Sequence, residues 1–174
     1  NADEQPADYL LDQYKGFRFF KIAALRRSVL PAVDWRAYRQ LKKIIHEFKP
    51  AIVHTHGTKP GVLGRLAAHR CKVPVVVHTF HGHVFHSYFS GFISNSIVRI
   101  ERWLAGFSSA IVAISETLKD ELTNKYQIAS ANKLKLIRRG SDTTQFHDED
   151  GSTRAQFRSE FNLSNDTIAI GIVG

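Results

Sequence analysis

The run Val73-Pro74-Val75-Val76-Val77-His78-Thr79 constrains this chain more than any other stretch. β-Branched residues lose side-chain freedom in a helix and sit well on a pleated surface. The run shows no polar alternation, so it reads as a strand buried on both faces, the habit of a parallel sheet. Parallel neighbours need long crossovers, usually helices, and the sequence supplies them on both sides. Upstream, Asp34 reads as the N-cap of a helix presenting Tyr38, Leu41, Ile44, Ile45 and Phe48 on one side, with Pro50 past its end. Residues 51–54 follow as a short strand. Pro60 suits the first turn of a second helix, whose inner face reads as Val62, Leu63, Leu66 and Ala67. Downstream come a loop at 80–91, a helix through Ile93, Ile97, Ile100 and Leu104, and a strand at 110–114. A helix capped by Ser115 and carrying Leu118 and Leu122 leads to a strand at 134–137. Residues 17–25 read as a further strand ahead of the first helix. Strands alternating with helices through right-handed crossovers give an α/β, doubly wound parallel sheet.

Residues 138–151 read as a polar loop with an acidic end, 152–162 as a short helix and 167–173 as an apolar strand. The division expected from this is a main domain at 1–150, a linker with a short helix at 151–166, and the opening of a second domain at 167–174. With no methionine and an abrupt apolar end at Gly171-Ile172-Val173-Gly174, the chain reads as a fragment. No apolar run approaches the roughly 18–20 residues of a membrane-spanning helix. The single cysteine, Cys71, excludes an internal disulfide scaffold and reads as a core residue.

The formal net charge of +8 is unevenly spread. Residues 1–14 carry four acids and no base, whereas 15–49 carry ten bases against Asp34 and Glu47. Such a stretch attracts phosphate-bearing partners, or is simply a solvated face. No nucleic-acid-binding signature accompanies it, so nucleic acid is not an expected partner.

Ligands of open α/β sheets bind at the carboxyl ends of strands. Two such ends are unusually polar here: His54-Thr55-His56-Gly57-Thr58-Lys59-Pro60-Gly61 and His78-Thr79-Phe80-His81-Gly82-His83-Val84-Phe85-His86. They hold six of the nine histidines, a clustering hard to attribute to packing. Gly57 and Gly61 bracket a turn into a helix start, where free amides favour a phosphate or carboxylate and Lys59 can add a point charge. The same glycines also suit an ordinary strand-to-helix turn. Neither Gly-x-Gly-x-x-Gly nor Gly-Lys-Ser/Thr occurs after a strand. The close pairs His54/His56 and His81/His83 suggest a metal, but residues 50–100 contain no Asp or Glu. That argues against a metallohydrolase and for no metal. A histidine acting on a sugar or hydroxyl is the other reading, and His81 is its candidate, with Gly82 permitting close approach. His83 and His86 read equally well as structural or surface residues. Ser115 has a capping role and no Gly-x-Ser-x-Gly elbow exists, which argues against a serine hydrolase.

With these motifs in place, the segment from Leu25 to Gly174 resembles the N-terminal half of family 4 glycosyltransferases of the GT-B fold. The match rests on four stretches. They are Leu25-Arg26-Arg27 with Asp34 and its helix; Ile52 to Gly61 with Leu63-Gly64-Arg65-Leu66-Ala67-Ala68; His78-Thr79-Phe80-His81-Gly82 with Phe85-His86; and Ile114-Ser115-Glu116 with Gly140, Asp142 and Phe146. The resemblance implies a Rossmann-like acceptor domain lacking its opening strand and helix, with 167–174 beginning a donor-binding domain. It implies retaining transfer from a nucleotide-sugar, a UDP-sugar above all, to a lipid-linked or glycan acceptor, with no cofactor or metal. That places the parent protein in cell-surface polysaccharide or glycolipid synthesis, in the cytoplasm or on the inner face of the membrane. On this comparison His81 matches the family's active-site histidine, which positions the transferred sugar. Gly57, Thr58 and Lys59 match the loop facing the acceptor, beside Gly82. One departure is Arg138-Arg139-Gly140-Ser141-Asp142 where the family usually has Pro-Asn-Gly-Val-Asp. The basic stretch 15–49 becomes a candidate contact for an anionic membrane surface. Two alternatives stand beside this reading: a nucleotide-sugar 2-epimerase of the same fold, and a non-catalytic anion- or lipid-binding module. A fragment without donor-binding residues is expected to be inactive alone.

Overall fold

The computed structural model describes residues 16–26, 28–82, 91–140 and 151–170. His83, Phe85, His86, Ser141, Asp142 and Phe146 of the motifs above lie outside them.

Pro31 presets the first helical φ and has no amide to leave unpaired, so the first helix, α1 (Pro31–Phe48), begins three residues before the expected cap. Leu30 is the N-cap. Asp34 instead occupies the first turn, where its carboxylate accepts the Leu30 amide at 3.2 Å and meets the positive end of the helix dipole. Lys49 ends the helix in the left-handed region, φ 51°, its amide donating to the Ile45 carbonyl. The chain continues through β1 (Ile52–His56), α2 (Thr58–Arg70), β2 (Val75–Phe80), α3 (Gly91–Gly106) and β3 (Ala110–Ala113). Then come α4 (Glu116–Asp120), running into a π-helical turn Glu121–Lys125, β4 (Leu134–Leu136) and α5 (Ser152–Glu160). Ser115 caps α4 as expected, its hydroxyl accepting the Leu118 amide at 3.2 Å.

The four strands form one parallel sheet in the order β1-β2-β3-β4. This is the α/β, Rossmann-like arrangement the sequence calls for. Within the described residues the order is consecutive, so the crossover helices share a face. The order reversal that gives a doubly wound sheet its second helical layer is not among them. Register explains the rest. Val53 lies beside Val76, Thr55 beside His78, and His78 beside Ile111. Strand alternation therefore puts Val53, Thr55, Val76, His78, Phe80, Ile111 and Leu134 on the helix-covered face. Two apolar clusters fill that layer. One joins Tyr38, Ile45, Ala67 and Ala68 to Val76; the other joins Val98, Ala105, Leu118 and Leu122 to Phe80, Ile111 and Leu134. The opposite face carries Ile52, His54, His56, Val75, Val77 and Thr79. Val75 and Val77 are only half-buried and Ile52 is exposed, so the valine run is not buried on both faces.

Helix α2 approaches the sheet through small residues. A Cβ on Gly64 would lie 2.7 Å from Thr55 Cγ2, and one on Gly61 would clash with the His78 ring. The buried positions of α2 are accordingly Gly61, Gly64, Arg65, Ala67 and Ala68, whereas Val62, Leu63 and Leu66 are half-buried flanks of that contact.

The strand expected at 17–25 does not form, and of the one expected at 167–173 residues 171–173 lie outside the described residues. Residues 17–25 are irregular, with a turn at 23–24, and enter no ladder. Residues 167–170 also pair with nothing described; Ile168 and Ile170 are each 87% exposed. The chain divides into two compact units, Asn1–Arg138 and Arg139–Gly174. In the second, the Arg158 guanidinium donates to the carbonyls of Ser164 and Thr167, fastening α5 to the turn after it.

Candidate functional site

β1 and β2 end side by side, and the polar segments sit at those ends. Gly57 takes φ 71° and ψ 167°, a backbone that disfavours any residue with a Cβ, and turns the chain directly from β1 into α2. No side chain caps α2, so the amides of Thr58 and Lys59 open the helix without intrahelical acceptors. A cavity of about 210 Å³ lies against this start, lined by Gly57, Thr58 and residues 78–82. Four of the five candidate residues, Gly57, Thr58, His81 and Gly82, therefore share one cavity.

Lys59 stands apart. Its ammonium donates to the carbonyls of Arg26 (2.8 Å) and Ser28 (2.5 Å) and pairs with the Asp34 carboxylate. It fastens the segment before α1, and α1 itself, to the start of α2, and it does not line the cavity.

The histidines separate by face. His54 and His56 are two residues apart on β1 and so point the same way, toward the face that no described helix of this unit covers. His54 Nε2 shares a 2.7 Å hydrogen bond with Thr79 Oγ1. His56 Nδ1 shares one of 2.8 Å with His81 Nε2. The ring centroids of His54 and His56 are 4.3 Å apart, and those of His56 and His81 5.1 Å. Partial burial, then the neighbouring His81, holds His54 below the ordinary histidine value. Partial burial, then His54 and His81, does the same to His56. His54 and His56 are thus neutral rings at neutral pH, each able to donate from one nitrogen and accept at the other. Among the described residues no group of three or more His, Cys, Asp or Glu is arranged to hold a metal ion.

His78 points the other way. It is buried under Gly61, its Nδ1 2.9 Å from Thr55 Oγ1. Burial, reinforced by the Arg65 guanidinium, pushes its imidazole down to about 3, so it is a neutral structural group. Arg65 itself was not legible as a site residue. It is fully buried in α2, donates from Nε to the Gly61 carbonyl at 2.9 Å, and pairs through Nη2 with Glu101 of α3 at 2.5 Å. Burial disfavours the ionised forms of both partners and their attraction opposes it. A signal was present. Positions 61, 64, 65 and 68 fall on one helical stripe, so a lone arginine among glycines and alanines there must turn inward. Glu101 is the first acid after residues 50–100.

Chemically, the cavity offers the helix-start amide of Thr58 for an anionic or carbonyl oxygen and the imidazole of His81 for a hydroxyl group, with His56 bonded to His81 from outside its lining.

The chain matches the profile of Glycosyltransferase Family 4 over residues 3–145. That match begins well before Leu25 and closes near the end of the first compact unit. It is 32% identical over 142 residues to the UDP-Gal:alpha-D-GlcNAc-diphosphoundecaprenol alpha-1,3-galactosyltransferase of Escherichia coli, covering 80% of this chain and 35% of that protein. It is 25% identical over 154 residues to the capsular polysaccharide biosynthesis glycosyltransferase CapM of Staphylococcus aureus, covering 88% and 40%. The chain therefore spans between a third and two fifths of the length of these relatives.

Proposed function

This chain belongs to glycosyltransferase family 4, and from that premise we propose that the complete protein moves a sugar from a nucleotide-sugar to a lipid-linked acceptor with retention. The glycosidic C–O bond to the leaving phosphate breaks, a C–O bond to the acceptor hydroxyl forms on the same face, and the hydroxyl proton leaves with the phosphate. Residues 1–150 would hold the acceptor, with 151–166 linking to a donor-binding domain that opens at 167–174.

The observation that carries the reading is the single cavity into which Gly57, Thr58, His81 and Gly82 converge at the carboxyl ends of two neighbouring strands. His81 positions the transferred sugar by hydrogen bonding, and the helix-start amide of Thr58 faces its polar groups. Lys59 holds the loop by anchoring it to residues 26–34. The named activity of the Escherichia coli relative, with a UDP-sugar donor and a diphosphoundecaprenol acceptor, supports a UDP-sugar and a lipid-linked acceptor here. An epimerase would need no acceptor, and both relatives described above are named as glycosyltransferases.

On the same reading the basic stretch 15–49 rests on an anionic membrane surface at its cytoplasmic face, each Lys or Arg contributing about 1 kcal/mol at most. Binding of the complete protein to anionic vesicles should then weaken steeply with salt. Salt-insensitive binding would remove this contact. The activity is tested by nucleotide release from a panel of UDP- and GDP-sugars, with and without membrane lipid extract, in EDTA. Lipid-stimulated release from one donor is expected. Silence from every donor, or release abolished by EDTA, would overturn the reading.

A further inference from the structure

An imidazole that acts on a substrate hydroxyl works only if its far nitrogen is held, because that bond decides which nitrogen carries the proton. Carboxylates commonly do this, but residues 50–100 contain none and the next acid, Glu101, is committed to Arg65. Among the described residues, what meets His81 is another histidine. We infer that His56 is a positioning residue for His81: through the 2.8 Å bond between His56 Nδ1 and His81 Nε2 it fixes the tautomer of His81, and so whether Nδ1 of His81 meets the substrate as donor or acceptor.

The inference rests on the reading of His81 as the substrate-contacting histidine, and it adds how that residue is set. Two arrangements satisfy a single shared proton. In one, His56 donates from Nδ1; in the other, His81 donates from Nε2 to a bare Nδ1 of His56. Neutral imidazole prefers its proton on Nε2, and only the second arrangement gives both rings that form. His81 then shows a bare Nδ1, an acceptor for a sugar or acceptor hydroxyl. Among the described residues, the titratable groups around the pair are His54, its ring tilted against that of His56 on β1, and His78, across the sheet on β2. Both are held neutral, as is His56, so the shared proton is not disturbed at neutral pH.

Selective 15N labelling of histidine in the complete protein reads the tautomer of His81 directly, and kinetics with the donor that the nucleotide-release panel selects reads its consequence. His56→Phe should move the two His81 nitrogen shifts toward tautomer-averaged values and lower kcat about tenfold. Within about twofold, KM should be unchanged, since the bond acts on orientation rather than on binding. His56→Asn, which keeps an acceptor near the position of Nδ1, should recover most of the loss. Unchanged His81 shifts in His56→Phe overturn the inference whatever the turnover does. Altered shifts with full turnover in both His56→Phe and His81→Ala uphold the pairing and overturn the underlying role of His81.

Discussion

β1 and β2 each carry histidines, and the two faces of the sheet put them to opposite uses. On the helix-covered face His78 is sealed beneath Gly61 and beside the buried Arg65–Glu101 pair, and burial holds it neutral down to a pKa of about 3. On the other face His54, His56 and His81 stand in a row of neighbouring, mutually tilted rings that ligands can reach, with His56 hydrogen-bonded to His81 and His54 to Thr79. Residue type does not assign the role. Strand parity does, because alternate residues on these strands face either a helical layer or an opening.

If the covered face is purely structural, damage there should appear as lost stability. Glu101→Leu strands a buried guanidinium whose Nη1 already has no partner. It should cost about 3–5 kcal/mol, lowering the melting temperature by about 10 °C for a chain of this size. Combining it with Arg65→Met should restore most of the loss, since removing both charges removes the desolvation cost as well. Additive losses would show that the pair is not the coupled unit its geometry indicates.

His78 makes the same contrast depend on pH. Its folded pKa of about 3 lies below the unfolded value of about 6.5. The unfolded chain thus binds the extra proton first as pH falls. The associated stability is complete above about pH 6.5 and drains away toward pH 3, by an amount on the order of 4 kcal/mol when fully expressed. Urea midpoints should fall more steeply over that window for wild type than for His78→Gln. Equal slopes would mean that His78 is not the buried group responsible.

Smaller effects sharpen the boundary between the faces. Gly61→Ala forces a methyl into the His78 ring and should cost about 1–3 kcal/mol. A measured stabilisation would show that α2 can lift from the sheet without penalty. His54→Ala on the open face should change stability by about 1 kcal/mol or less. A loss as large as that of Glu101→Leu would erase the distinction between the faces.

Much of this was legible because local signals agreed. The valine run, the Ser115 cap and the glycines around α2 each follow from residue chemistry over a few positions. What failed was non-local. Residues 17–25 and 167–170 have strand-like composition but no strand neighbour among the described residues, and composition cannot supply one. Asp34 was a sound cap by type, yet Pro31 three residues earlier fixed the helix start first. The faces of His54 and His56 follow from their spacing. Their partners Thr79 and His81 do not, because the register of β1 against β2 is set by packing of the whole layer. Lys59 shows the same limit from another side. Its charge pointed to a ligand, and only the fold reveals that Asp34 and two carbonyls already hold it.

The most direct test of the open face as the working face is the turnover of the complete protein carrying His81→Ala, expressed per folded molecule. A fall in kcat of about a hundredfold or more, with the melting temperature unchanged, is the predicted result. Full turnover in that variant would contradict the assignment of the site.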